Sequence, residues 1–259
     1  MRAARSSFIY FFRLTRSSEE INLLKILFIN PVGTGAWDKH MLQTINEIKR
    51  PDVKPKVVHL KKGPVHLEYH FYEHLNLGET LDWVRWAEKE GYDAVIIGCF
   101  YDPGIREARE LVSIPVIVPA EATMHVAATL GHKFSIIVGR RKWIPRMESN
   151  VYIYGLERKL ASFRTIEFTV PRMGSEPEKL KKAILTEAKK AIDEDGAEVI
   201  VLGCTMESGF MKELTSKLKV PVLDAVVTSW KYAEMMADLY RKVGLVHSKL
   251  YGFEAPPDV

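Results

Sequence analysis

The only two cysteines of this 259-residue chain end matching segments. Asp93-Ala94-Val95-Ile96-Ile97-Gly98-Cys99 and Ala197-Glu198-Val199-Ile200-Val201-Leu202-Gly203-Cys204 are both apolar runs closed by Gly-Cys. A glycine stands eight residues before each thiol, Gly91 and Gly196, and a Pro-Val step follows each, Pro115-Val116 and Pro221-Val222. Short apolar runs bounded by turn residues read as strands buried on both faces, the habit of parallel sheets. A repeat of this kind around both thiols constrains the chain to two related α/β halves that face each other.

The rest of the chain follows the same alternation. The first half reads as a strand at 25–31, a helix at 37–49, a short strand at 56–60, a helix at 77–90, the strand into Cys99, a helix at 105–111 and a strand at 114–118. The second half reads as a helix at 123–130, a strand at 134–139, a helix at 142–154, a strand at 163–169, a long helix at 176–194, the strand into Cys204, a helix at 210–218 and a strand at 220–223. Pro177 suits the first turn of the long helix. A last helix at 225–243 finds the second sheet already complete, so it should cross back onto the first. Strands alternating with helices indicate parallel sheets. The expected fold is α/β: two pseudo-symmetric domains, each a short parallel sheet flanked by helices, with the active site in the cleft between them. The expected boundaries are a leader at 1–22, a first domain at 23–122 plus 226–248, and a second domain at 123–225.

Composition narrows the function classes. Of the formal net charge of +4, +2 comes from four arginines and two glutamates in the first twenty residues, which leaves the remainder nearly neutral. No basic stripe interleaved with aromatics is present, which argues against nucleic acid as a partner. Two cysteines make no disulfide framework, as expected of a cytoplasmic protein. The leader has an apolar core of only five residues, Phe8-Ile9-Tyr10-Phe11-Phe12, broken by Arg13. That is too short for a signal peptide or a membrane span. The expected partner is a small-molecule substrate, with no membrane.

Ligands of parallel sheets bind at the carboxyl ends of the strands, and Cys99 and Cys204 both stand there. A following helix start would favour their thiolates. A lone buried cysteine is commonly only a small apolar residue; two at equivalent points of a repeat argue for chemistry. One thiolate can take a proton from carbon while the other thiol returns one to the opposite face, a racemisation that needs no cofactor.

Neighbouring strand ends add candidates for substrate binding. Asn30 and Pro31 close the first strand, and residue type alone leaves Asn30 open between a substrate contact and a turn. The amides of Phe100 and Tyr101, and the hydroxyl and amide of Thr205, could hold an enolate oxygen. Glu121 could accept from a substrate N–H, and Gly139 ends another strand. Asp102-Pro103 reads as the cap of the helix at 105–111. His66, His70 and His74 would share a helical face, which fits a solvated lid helix better than a metal site, so no metal is expected. Arg140 and Arg141 could meet a carboxylate.

These residues resemble the aspartate/glutamate/hydantoin racemase superfamily, and within it the hydantoin and allantoin racemases. The resemblance runs from about residue 25 to 237. It is carried by Ile26-Leu27-Phe28-Ile29-Asn30-Pro31, Gly63-Pro64 with Glu68, and Gly98-Cys99-Phe100-Tyr101-Asp102-Pro103-Gly104. Glu121-Ala122-Thr123-Met124-His125, Val201-Leu202-Gly203-Cys204 and Pro221-Val222-Leu223-Asp224 complete it. It implies that Cys99 and Cys204 are the acid/base pair acting on a 5-substituted hydantoin or a related cyclic ureide such as allantoin. It implies further that groups near Asn30, Phe100 and Thr205 hold the ring carbonyls, that no cofactor or metal takes part, and that identical chains assemble. Val32, His66, Arg140 and Glu207 depart from the family pattern around the pocket. The alternatives are an aspartate or glutamate racemase, with Arg140 as clamp, and a non-catalytic ligand-binding or redox protein of the same fold.

Overall fold

The computed structural model describes residues 23–257. The expected leader lies outside the described residues. In chain order the elements are β1 (Leu24–Asn30), α1 (Asp38–Ile48), β2 (Val53–His59), α2 (His70–Lys89), β3 (Ala94–Ile97), α3 (Ile105–Leu111), β4 (Val116–Ile117) and α4 (Pro119–Leu130). They continue with β5 (Phe134–Val138), α5 (Ile144–Ile153), β6 (Leu160–Thr165), α6 (Val170–Ser175), α7 (Pro177–Asp195), β7 (Val199–Leu202), α8 (Met211–Leu218), β8 (Val222–Leu223) and α9 (Ala225–Val243). Short 3-10 turns occupy Arg141–Trp143 and Thr205–Glu207. Among the described residues no helix is long and apolar enough to cross a membrane.

Two four-stranded sheets have the same order, β2-β1-β3-β4 and β6-β5-β7-β8, and every pairing is parallel. Alternation along the first sheet divides its side chains. Leu27, Ile29, Val95 and Ile97 face Val84, Ala87 and Ala108 of α2 and α3. Ile26, Phe28, Ala94 and Ile96 face Met41 and Ile45 of α1 together with Val226, Trp230, Ala233 and Ala237 of α9. Helices on both faces explain why these strands are continuous apolar runs. The last helix does cross back onto the first sheet. Asp224 starts it by accepting from Val226 N at 2.8 Å and Val227 N at 3.1 Å, and left-handed Gly244 (φ 71°) ends it.

Each part of the sequence repeat has a physical cause. Gly91 (φ 70°) and Gly196 (φ 71°) are the left-handed residues that end α2 and α7 and turn the chain into the cysteine strands. The carbonyls of Pro115 and Pro221 accept from Val95 N at 3.0 Å and Ile200 N at 2.9 Å, docking β4 and β8 as the next strands.

Several boundaries differ from the sequence reading. The 77–90 helix begins at His70, and the 123–130 helix begins at Pro119, so Glu121 and Ala122 are helical. The second sheet's edge strand is 160–165 rather than 163–169, and α6 is an additional helix before α7. β2 runs back through Pro55, which is tolerated because β2 is an edge strand.

Trp230 is the largest side chain with no exposure, and its Nε1–H donates to Glu234 Oε1 at 2.9 Å. Trp230→Ala would open a void between α9 and the first sheet. We expect a loss of about 3–5 kcal/mol, measured as a lowered urea midpoint.

Candidate active site

Cys99 and Cys204 follow the C-terminal ends of β3 and β7, the paired positions of the two sheets. Gly98 N donates to Ile29 O and Gly203 N to Ile137 O, both at 2.8 Å, so each Gly-Cys step hangs on the central strand of its sheet. A Cβ on Gly98 would come within 2.2 Å of the Phe28 ring, and one on Gly203 within 2.6 Å of Ile137 O. Only glycine fits at either place. Gly203→Ala is expected to cost about 1–3 kcal/mol of stability by pushing β7 away from β5, visible as a lower midpoint in chemical unfolding.

Both cysteines are free thiols, and both pack against one hydrophobic cluster. That cluster is the core of the second sheet, into which Phe100 and Tyr101 reach from the Cys99 turn. The first half thus lends the second half two aromatic rings. Each cysteine keeps part of its surface open, yet burial dominates its chemistry. It pushes the Cys99 thiol up to about 12, opposed by the Tyr101 amide and by Arg146, and reinforced by Glu73 and Asp102. Burial also raises Cys204 well above the ordinary thiol range, with Glu207, Cys99 and Glu68 adding to it and the Met206 amide opposing. In both halves the opposing amide belongs to the residue two after the cysteine. The expected help from helix dipoles is outweighed: α3 begins six residues after Cys99, and only a 3-10 turn follows Cys204.

Asp102 does not cap α3 as the sequence suggested. Its backbone is left-handed (φ 52°), and its carboxylate accepts from Ala120 N and Glu121 N at 2.9 Å and from Tyr154 Oη–H at 2.7 Å. It therefore caps α4 and ties the Cys99 turn to α4 and α5. Burial pushes its carboxyl up to about 7, against the three donors.

The other expected residues are placed as follows. Asn30 is buried at the end of β1, with its Nδ2 3.5 Å from Asp38 Oδ1, and the Pro31 carbonyl accepts from Asn76 Nδ2 at 2.9 Å. Phe100 and Tyr101 are buried in the cluster against which both thiols pack, and Thr205 is buried beside Cys204. Gly139 follows β5, where a Cβ would meet Phe168 O at 2.5 Å and the Trp143 ring. Glu121 takes a two-pronged pair from Arg109, with Nη1 at 3.0 Å, so its carboxylate is already engaged. His66 precedes α2, while His70 and His74 are exposed on its first turns, so the three do not share one helix. Among the described residues no three His, Cys, Asp or Glu side chains are grouped to hold a metal.

Sequence reasoning missed the pairs that join the halves over the cleft. Glu68 is buried and accepts from Arg140 Nη1 and from Val170 N, each at 2.7 Å. Glu73 meets Arg146 at 3.0 Å, and Arg146 also donates to Asn150. Partners some 72 residues apart leave no local signal in the sequence; the only hint was Glu68 in the family-like loop after Gly63-Pro64.

The profile of the family described as Asp/Glu/Hydantoin racemase matches residues 26–233. The chain belongs to this family. Both cysteines lie within the matched span. A hydantoin racemase from Pseudomonas sp. (strain NS671) is 33% identical over 233 residues, covering 90% of this chain and 92% of that protein. One from Rhizobium meliloti is 32% identical over 213 residues, 82% of this chain and 88% of that protein. The structure of an allantoin racemase from Klebsiella pneumoniae superposes with a TM-score of 0.85 at 29% identity, over 90% of this chain and 94% of that one. The α/β fold expected from the sequence is therefore the racemase fold. Two of the departures from the family pattern turn inward in this member. Arg140 is held by Glu68, and Glu207 is fully buried with neither carboxylate oxygen hydrogen-bonded among the described residues. Burial, and then Asp224, raise the Glu207 carboxyl well above its usual range, with the nearby Gly203 amide opposing.

Proposed function

We propose that this chain is a cofactor-independent racemase in which Cys99 and Cys204 serve as alternating base and acid on a 5-substituted hydantoin or a related cyclic ureide such as allantoin. The observation that carries this is the placement of two free thiols at equivalent strand ends, packed against one shared hydrophobic cluster. The thiolate of one cysteine takes the hydrogen from the ring carbon beside a carbonyl. The C–H electron pair moves into that carbonyl, and the other thiol gives its proton to the opposite face. The carbon is inverted, the cysteines have exchanged protonation states, and the reverse turnover restores them. A thiolate made basic by burial is matched to a weakly acidic C–H.

A ring without a carboxylate is favoured over aspartate or glutamate because Arg140, the clamp an amino acid would need, is taken up by Glu68. Hydantoin racemases among the sequence relatives and an allantoin racemase among the structural ones support the same substrate class. The two sheets, with α9 returned to the first, would be the two domains. Cytoplasmic residence and assembly of identical chains belong to this proposal as well.

The test is loss of optical rotation by the purified chain on single enantiomers of 5-substituted hydantoins, allantoin, aspartate and glutamate. Turnover of a ring compound, with the amino acids inert, is the expected result. Turnover of the amino acids alone would replace the substrate class, and inertness toward all of them would remove the catalytic reading.

A further inference from the structure

The segment after α9 is tied to the outer edge of the first sheet, and it lies beyond the residues 26–233 that the family profile matches. β4 is the edge strand there, and its Val116 has no exposure. Peptide groups on a buried edge need partners. His247 Nε2 accepts from Val116 N at 2.9 Å, and Arg109 Nη2 donates to Val116 O at 3.1 Å. A ring nitrogen that accepts carries no proton, so His247 makes this bond as the neutral imidazole. Lys249 Nζ donates to Glu110 O at 2.9 Å and to Arg109 O, carbonyls of the last turn of α3. The Phe253 ring lies beside both, its centre 6.0 Å from that of His247 and 5.7 Å from the Arg109 guanidinium.

From this edge an unbroken series of hydrogen bonds leads to Cys99. Arg109 Nη1 donates to Glu121 Oε1 of α4 at 3.0 Å. The amides of Ala120 and Glu121 donate to the Asp102 carboxylate, both at 2.9 Å. Asp102 N donates to Cys99 O at 2.9 Å and closes the turn that carries the thiol. β4 also runs almost directly into α4, so whatever fixes Val116 fixes the place where α4 starts. The segment thus holds, from outside the cleft, the helix start on which the Cys99 turn hangs. Cys204, on the other sheet, has no part in this series.

We propose that His247 and Lys249 are positioning residues: the segment after α9 is a strap that holds the Cys99 turn in register for proton transfer. The inference rests on the racemase reading and adds to it an element remote from the cleft. The strap touches no substrate and moves no proton. It acts by keeping β4 and the first turn of α4 in one place, and a displacement of the reacting sulfur is costly in rate even when its cause is distant.

The experiment compares His247→Leu with His247→Gln. Leucine leaves the Val116 amide without an acceptor, whereas the glutamine oxygen stands about where Nε2 does. For His247→Leu the expected result is a fall in kcat of about 10–10²-fold with KM little changed. Iodoacetamide should alkylate Cys99 faster than in the wild type, while Cys204 keeps its wild-type rate. His247→Gln should restore both. A lowered melting temperature with kcat and Cys99 alkylation unchanged would overturn the proposal and leave the strap as a cover for the sheet edge. Equal acceleration at both cysteines, or a glutamine variant no better than leucine, would overturn it too. If His247→Leu does not fold, Lys249→Met gives the same test, because it removes the donors to α3 and keeps the stem; slower turnover with faster alkylation of Cys99 alone is again expected, and wild-type values of both would overturn the proposal. A wild-type chain without turnover would overturn the racemase reading, and the contrast in alkylation between the two cysteines would still decide whether the strap holds the Cys99 turn.

Discussion

Cys99→Ser and Cys204→Ser should each lose about 10²–10⁴-fold in kcat/KM while keeping the wild-type fold. A serine hydroxyl at either place is too weak an acid to be deprotonated and returned within a turnover. The loss must be equal in the two directions, because enantiomers have the same free energy and kcat/KM cannot favour one of them. The double variant should be little worse than either single one, since the thiols act as a unit. Circular dichroism and the urea midpoint separate this from misfolding; among the described residues neither Sγ hydrogen-bonds another side chain. A single variant with near-native activity would mean that one thiol is a bystander packed against the cluster.

The pH profile carries the second large effect. Burial holds the Cys99 thiol at about 12 and Cys204 well above the ordinary range, so both are protonated in the free protein near neutrality. Catalysis needs one thiolate and one thiol. Below the first ionisation the productive fraction grows about tenfold per pH unit. The sign follows: kcat/KM should climb from pH 6 to pH 9 with unit slope in log–log form, about 10³-fold in all, and show no descending limb in that range. The initial rate of racemisation at low substrate concentration measures it. A bell with its maximum near neutral pH would mean that the amides of Tyr101 and Met206, with Arg146, outweigh burial.

The fold was legible in the sequence wherever a local physical requirement repeats. Gly91 and Gly196 had to turn the chain left-handed, Gly98 and Gly203 had to clear the central strand, and the apolar runs between them had to be buried on both faces. The return of α9 followed from a second sheet already complete. The first turns of α2 read as a solvated lid helix from the spacing of their histidines, but not as part of the 77–90 helix: His70, Phe71 and His74 are exposed, so no apolar stripe continues to that end. For the candidate site, the sequence pointed to the cysteines and the aromatic pair after Cys99. The fates of its charges could not. Glu121 is paired with Arg109, and Arg140 with Glu68 across the cleft. Asp102 reads locally as a cap for the next helix but, once its backbone turns left-handed, it serves α4 instead. The direction of the thiol shifts stayed open between site amides, which lower it, and burial, which raises it, because helix starts are visible in a sequence, whereas burial against a cluster shared by two halves is not.

Deuterium incorporation during the first turnovers tests the two-thiol mechanism most directly. The chain is placed in D2O with one pure enantiomer of an accepted ring substrate, and substrate and product are separated at low conversion for mass spectrometry. Two opposed thiols predict a deuterium at the inverted carbon of the product and protium in the recovered substrate, from whichever enantiomer the reaction starts. Deuterium appearing equally in recovered substrate and product would mean that a single base, or an enolate open to solvent, serves both faces, and would contradict the assignment of Cys99 and Cys204 as opposed acid and base.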